Sequence, residues 1–297
     1  MEKIAVIIPT YNASGYISET ITTIMEQTHK PWVIIIVDDG STDSTIKEAE
    51  KVLSGSSDKI NFEIISKSNS GASSARNVGI NLISSKYSDI DYFCFSDADD
   101  PWSLIKLEEQ LNLFRSGPDT LVLCITALRI INSSGCDLGF IPNHLKDNER
   151  FDEKYAKATI TSITPTSMIK NIKGILDVNF DENLTYWEDL KYFTQLSKFG
   201  DVGCCESGLV KRRVHDASIS QNIQLVNYMS SSIDVWEFLL QNVDKKIADD
   251  FIATRKRAFI IHCIKQRQFL KLKLLNICRT DIFKYPYLLP FLVFNIL

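Results

Sequence analysis

Short apolar runs alternate with helical stripes through the first part of the chain. Ile4–Ile8, Val33–Val37, Phe62–Ile65 and Tyr92–Phe95 are rich in β-branched or aromatic residues and read as buried strands. Between them, Ile17, Ile21, Ile24 and Met25 share one helix face, and Ile46, Ala49, Val52 and Leu53 share another. A third stripe, Leu104, Leu107, Leu111 and Phe114, is expected to open with Asp100 as N-cap and Pro101 in the first turn. Repeated strand–helix–strand units of this kind predict an α/β, Rossmann-like fold, a mostly parallel sheet flanked by helices. Ligands of such sheets bind beyond the carboxyl ends of the strands, so chemistry is expected just after each apolar run.

The second half is less regular. Leu121–Ile131 and Val202–Val214 read as strands, and Thr159–Met168 is β-branched and polar-rich. Leu190, Phe193, Leu196 and Phe199 form a helix stripe ended by Gly200. Beyond about Ser220 the pattern turns helical and basic. We therefore expect a catalytic domain over 1–220, with halves at about 1–115 and 116–220, and a helical C-terminal extension over 221–297.

Composition changes this picture in two places. The net charge of −4 hides an asymmetry: from Lys245 onward there are 11 Lys/Arg against 3 Asp/Glu, leaving 22 against 34 before it. An acidic body with a basic tail meets two kinds of surroundings, or carries one solvated basic face. The seven cysteines form no CxxC pair or metal-ligand spacing and several sit in apolar runs, as reduced thiols do. The first apolar run is too short for a signal peptide and Pro9 cuts it, so the expected location is cytoplasmic. Nothing in the charge pattern asks for a nucleic-acid partner.

Candidate chemistry gathers where the strands end. Pro9-Thr10-Tyr11-Asn12 follows the first, Asp38-Asp39-Gly40-Ser41-Thr42-Asp43 the second and Ser96-Asp97-Ala98-Asp99-Asp100 the fourth. Each cluster alone reads equally as turn formers and helix caps. Together, Asp38, Asp39, Asp97, Asp99 and Asp100 on one sheet edge repel one another, and a bound cation is the simplest compensation. Asp97 and Asp99 supply hard oxygens suited to Mg²⁺ or Mn²⁺. Neither GxGxxG nor GxxxxGK[ST] follows any strand, so a metal bridging phosphate oxygens is the expected substitute for those nests. Arg76, near the start of the helix after the third strand, reaches phosphate or base with its planar fork, or serves as a surface ion-pair partner.

Ile7-Ile8-Pro9-Thr10-Tyr11-Asn12, Val37 to Asp43, Gly71 to Gly79 and Asp97-Ala98-Asp99 resemble the family 2 glycosyltransferases of the GT-A fold. Four motifs in order over about 100 residues carry the resemblance. It implies inverting transfer from a nucleotide sugar, most often a UDP-sugar. By this analogy Pro9, Thr10 and Tyr11 line the nucleoside pocket, with Asp38 beside them, and Asp39 accepts a hydrogen bond from uracil. Arg76 contacts the nucleotide, Asp97 and Ala98 approach the ribose or sugar, and Asp99 ligates Mn²⁺ or Mg²⁺. Asp100 extends the motif or only caps the helix.

Inversion needs a carboxylate opposite the leaving diphosphate. Tyr186-Trp187-Glu188-Asp189-Leu190 resembles the family's Glu-Asp motif, and position within it favours Asp189 over Glu188 as base. A place in the first helical turn favours the ionised form. Arg212-Arg213-Val214-His215-Asp216-Ala217-Ser218 resembles a basic-x-His-x-x-Ser segment that folds over the diphosphate, with His215 as metal ligand or phosphate partner. Gln-x-x-Arg-Trp and membrane spans, marks of the processive synthases, are missing, so one sugar per encounter is expected.

The tail Tyr285–Leu297 is apolar and follows a basic stretch. It either packs on its own core or attaches peripherally to an anionic inner membrane, which would fit a lipid-linked glycan acceptor. The resemblance extends to bacterial O-antigen, lipopolysaccharide or capsule assembly. Two other readings stay open: a sugar-1-phosphate nucleotidyltransferase, and a non-catalytic nucleotide-sugar binding module.

Overall fold

The computed structural model describes residues 2–55, 60–143, 145, 150–156, 163–215 and 224–265. Its elements run in the order β1 Ile4–Thr10, α1 Ile17–Met25, β2 Val33–Asp38, α2 Thr45–Gly55, β3 Asn61–Ser66, α3 Ala72–Lys86, β4 Tyr92–Phe95 and α4 Lys106–Ser116. There follow β5 Leu121–Asn132, β6 Asp137–Ile141, α5 Phe151–Ala156, α6 Ile163–Thr166, β7 Met168–Lys170, α7 Glu188–Leu196, β8 Asp201–Val214, α8 Leu225–Asn242 and α9 Lys245–Lys265. The chain forms two compact units, one of Met1–Asn183 with Glu188–Ser218 and one of Leu184–Trp187 with Ile219–Leu297.

The first unit is built on an eight-stranded mixed sheet in the order β3-β2-β1-β4-β7-β5-β6, with β8 beside β5. Strands β1 to β4 are mutually parallel where they pair, and β8 runs parallel to β5. Strands β6 and β7 are antiparallel to their neighbours. Every residue of β1 and β2 is buried, as expected of central parallel strands covered on both faces. The chain winds outward from β1 to β3 and then returns to place β4 on the other side of β1. That reversal opens a crevice at the carboxyl ends of β1 and β4.

Helix α3 reaches β1 closely because of one residue. A Cβ on Gly79 would stand 2.5 Å from Ile7 Cγ2, so the glycine lets the helix, and Arg76 upon it, lie against the strand.

Three expectations are corrected here. The run Phe62–Ile65 is a strand but not a buried one: β3 is at the sheet edge, and Phe62 is 40% exposed. Helix α4 starts at Lys106 with Ile105 in the cap position, so Asp100 caps nothing. Leu104 precedes the helix and is exposed; the buried face is Lys106, Leu107, Gln110 and Leu111. Lys106 survives burial because its ammonium bonds Gln110 Oε1 at 2.7 Å and lies 3.9 Å from the centre of the Trp102 ring. Of the Thr159–Met168 stretch, 163–166 form the short helix α6 and 159–162 lie outside the described residues.

Cys94 and Cys124 are buried free thiols, while Cys204 and Cys205 are half-buried and Cys136 is exposed. In the second unit α8 and α9 pack together and hold the segment before α7. Trp187 donates its indole N–H to Ser232 Oγ at 3.0 Å and sits beneath the Arg255 guanidinium at 4.6 Å. Its φ of 65° is left-handed backbone, uncommon for a bulky residue. No described helix is long and apolar enough to cross a membrane, and the apolar tail beyond Lys265 lies outside the described residues.

Candidate active site

The loops after β1 and β2 are stitched to each other before any ligand arrives. Asn12 donates its backbone N–H to Ser41 Oγ, and its side-chain oxygen accepts the Thr42 N–H at 2.8 Å. Asp38 is buried and accepts the Ser41 N–H at 3.0 Å, closing its own turn. Asp43 accepts the N–H and hydroxyl of Thr45 at the start of α2, along with the Ser14 N–H. Burial pushes its carboxyl up, but these donors prevail and hold it down at about 2. Asp38 and Asp43 thus shape the loops of the site, Asp38 from a buried position and Asp43 from an exposed one.

Asp39 reaches the next loop. Its carboxylate accepts Lys67 Nζ at 2.6 Å, Ser70 N–H at 2.9 Å and Gly71 N–H at 2.7 Å. Gly71, at φ 93°, leads into α3. Beside Asp39, Thr10 is buried with its hydroxyl unpartnered and accepts the Asp39 N–H on its carbonyl. Pro9 is buried in β1, whose buried run ends at Thr10, and Tyr11 just beyond is 52% exposed.

Arg76 stands at the centre of the crevice. Its guanidinium is buried and reaches Asp97 Oδ1 at 3.4 Å and Glu188 Oε1 at 3.2 Å, with Nε unpartnered. The face of Phe180 lies 5.2 Å away. Asn77, one residue on, fixes that phenylalanine: its amide exchanges hydrogen bonds with the Phe180 backbone at 2.8 and 3.0 Å and also bonds Glu182. The sequence reading assigned Asn77 no role.

The second acidic cluster divides its labour. Asp97 is half-open beside Arg76, and Ala98 is buried. Asp99 Oδ2 meets His215 Nε2 at 2.9 Å, joining two residues 116 apart in sequence. Asp100 is buried and accepts the Arg213 backbone N–H at 2.8 Å. Burial, reinforced by Asp97 and Asp99, pushes the Asp100 carboxyl well up.

Arg213, within the segment expected to fold over the diphosphate, is enclosed by protein groups. Its side chain is 2% exposed, bonded to Glu19 Oε2 at 2.6 Å and to the backbone carbonyls of Asp99, Asn132 and Ser133. It braces the Asp99 backbone from behind. The neighbouring Asp216–Ser218 part of that segment lies outside the described residues.

At the start of α7, Asp189 turns back on the Leu190 N–H at 2.8 Å. Burial and the adjacent Asp189 push Glu188 up to about 7 against the pull of Arg76. Burial beside Asp189 also pushes the Tyr155 phenol well up. Tyr155 escaped the sequence reading because nothing links α5 to α7 before folding.

The folded Glu188 holds a proton that the unfolded chain, with its carboxyl near 4.5, has already released. Stability therefore falls as pH rises from about 4.5 to about 7. Glu188→Gln is expected to lessen that fall by on the order of 2–3 kcal/mol, read from urea unfolding at pH 5 and pH 8.

Asp99 and His215 meet, and among the described residues no group of three or more His, Cys, Asp or Glu side chains is placed to hold a metal ion. The pair Asp99 and His215 fits an ion that takes its other ligands from phosphate and water, as Mg²⁺ and Mn²⁺ do. Residues 5–170, covering strands β1 to β7 and this edge, match the family described as Glycosyl transferase family 2. The chain belongs to glycosyl transferase family 2. Among its relatives, the amylovoran biosynthesis glycosyltransferase AmsB of Erwinia amylovora is 31% identical over 201 residues, 66% of this chain and 64% of AmsB. S. aureus TarS 1-349 in complex with UDP-GlcNAc shares the fold at a TM-score of 0.63, with 18% identity, over 85% of this chain and 71% of the TarS 1-349 chain. The Pyrobaculum calidifontis mannosyltransferase PcManGT, in complex with GDP-Man and Mn²⁺, does so at 0.59 with 14% identity, over 99% of this chain and 87% of that one. The sheet is thus a family 2 sheet of the GT-A type, with the crevice described above as its candidate active site.

Proposed function

We propose that this glycosyltransferase moves one sugar at a time from a UDP-sugar to an acceptor hydroxyl, with inversion and with help from Mn²⁺ or Mg²⁺. The observation that carries this reading is the Arg76 bridge. One buried guanidinium joins Asp97, at the nucleotide end of the crevice, to Glu188, beside the proposed base. Donor and base motifs therefore share one pocket.

In this mechanism Thr10, Tyr11 and Asp39 take the nucleoside, and Arg76 and Asp97 orient the ribose and sugar. A divalent ion held by Asp99 and His215 supplies charge neutralisation for the diphosphate. Asp189 accepts the proton of the acceptor hydroxyl at its carboxylate as that oxygen bonds to the anomeric carbon. The bond from the anomeric carbon to the diphosphate breaks on the opposite face, and UDP departs. The UDP donor draws support from TarS, whose structure holds UDP-GlcNAc, and the metal from PcManGT, whose structure holds Mn²⁺. A glycan or lipid-linked glycan acceptor in polysaccharide biosynthesis completes this reading; of that, the name of AmsB, an amylovoran biosynthesis glycosyltransferase, supports the biosynthetic setting alone.

Incubating the protein with a panel of UDP-sugars and Mn²⁺ or Mg²⁺ tests this. Slow release of UDP from one of them, abolished by chelation, is the expected result. Release of pyrophosphate from UTP and a sugar phosphate would instead make it a nucleotidyltransferase, and affinity without either product would leave a binding module.

A further inference from the structure

Lys67 lies outside every motif discussed so far, yet it is built into the nucleoside end of the crevice. It follows β3 directly and donates its ammonium to Asp39 Oδ1 at 2.6 Å and to the Ser68 carbonyl at 3.0 Å. Those bonds take two of its three hydrogens. The Asp39 carboxylate has about four acceptor positions, and Lys67, Ser70 and Gly71 fill three. Both side chains are largely buried, Lys67 at 19% and Asp39 at 5% exposed, so neither completes its bonding freely with water. The unpartnered buried hydroxyl of Thr10 stands on the same edge, next to the Asp39 backbone. The pair thus offers one acceptor beside one donor.

We infer that Lys67 is a specificity-determining residue, whose third ammonium hydrogen is donated to O4 of uracil while Asp39 accepts the neighbouring N3–H. This rests on the nucleotide-sugar reading above. Uracil presents a donor at N3 flanked by a carbonyl, matching the pair. Cytosine presents an acceptor at N3 and a donor at the 4-amino group, so both contacts turn repulsive. The ion pair with Asp39 then serves to aim the ammonium as well as to neutralise the carboxylate.

Calorimetric titration of UDP and CDP, with saturating Mn²⁺, into the full-length wild type, Lys67→Met and Lys67→Arg tests it. Wild type should prefer UDP, and Lys67→Met should lose roughly tenfold to a hundredfold of that preference, the range of one charge-assisted hydrogen bond. Lys67→Arg, which keeps charge and donors, should retain most of it. A second measurement needs no variant: 4-thio-UDP, whose sulfur is a poor acceptor, should bind wild type more weakly than UDP and Lys67→Met equally to UDP. If wild type prefers UDP while Lys67→Met keeps the full preference, or if 4-thio-UDP matches UDP on wild type, the inference is overturned and the nucleotide-sugar reading stands. A wild type that binds neither nucleotide overturns both.

Discussion

Asp189→Asn is expected to bind UDP within about twofold of wild type while losing roughly 10²–10⁴-fold in turnover, the contribution of a positioned general base. The amide has the shape of the carboxylate and keeps an oxygen for the Leu190 N–H, so the first turn of α7 is preserved. What it lacks is the capacity to take a proton. The neighbouring acid is poorly placed to substitute: Glu188 is tied to Arg76 and raised to about 7, so near neutrality a large share of it is already protonated. Asp189 occupies the helix start, where the dipole favours a negative charge. Calorimetry for UDP and a UDP-release assay on the same protein separate binding from chemistry. Near-normal turnover by the variant would transfer the base role elsewhere, and Glu188→Gln would then be the informative comparison.

The fold was legible where burial is symmetric. β1 and β2 lie at the sheet centre, and their unbroken Val and Ile runs announce this. The run in β3 carries the same residue types, but its place at an edge depends on where β2 sits, which no local pattern encodes. Asp100 looks like a helix cap in sequence because Pro101 follows it. Its partner is the backbone N–H of Arg213, 113 residues away, and long-range satisfaction of a buried carboxylate outweighs a local cap. Arg213 misleads for the same reason, since a guanidinium in a basic segment reads as solvent-facing until Glu19 and three carbonyls enclose it.

Among the site residues, types and order along the chain were readable, and partnerships were not. Asp99 and His215 were both read as candidate metal ligands, from segments 116 residues apart, and the structure brings their side chains to 2.9 Å. Asp39 was read as accepting a hydrogen bond from uracil, and its bonds within the protein, which organise the loop from Lys67 to Gly71, were not legible. Lys67 itself, a lysine following a strand, is indistinguishable in sequence from a solvated edge residue. Tyr155 is silent too: buried tyrosines are ordinary core residues unless a carboxylate stands opposite.

Asp99→Ala carries the other large expected effect. The metal-supported rate should fall by about 10²–10³-fold, the scale on which single electrostatic stabilisers of a transition state act. Affinity for Mn²⁺ in the presence of UDP, measured by the loss of the free-ion paramagnetic signal, should weaken by at least about tenfold. His215 remains as a single ligand with its carboxylate partner gone, and one imidazole holds these hard ions poorly. The loop itself should stay in place, because Arg213 grips the Asp99 backbone carbonyl and Asp100 keeps the Arg213 N–H, neither of which involves the deleted side chain. A loss of rate with unchanged melting temperature is therefore the signature of a ligand, and a joint loss of both is the signature of a strut. Full-speed transfer by Asp99→Ala, or by the wild type after exhaustive chelation, would remove the ion from the reaction. The charge of the departing diphosphate would then fall to Arg76, a cation already standing in the crevice.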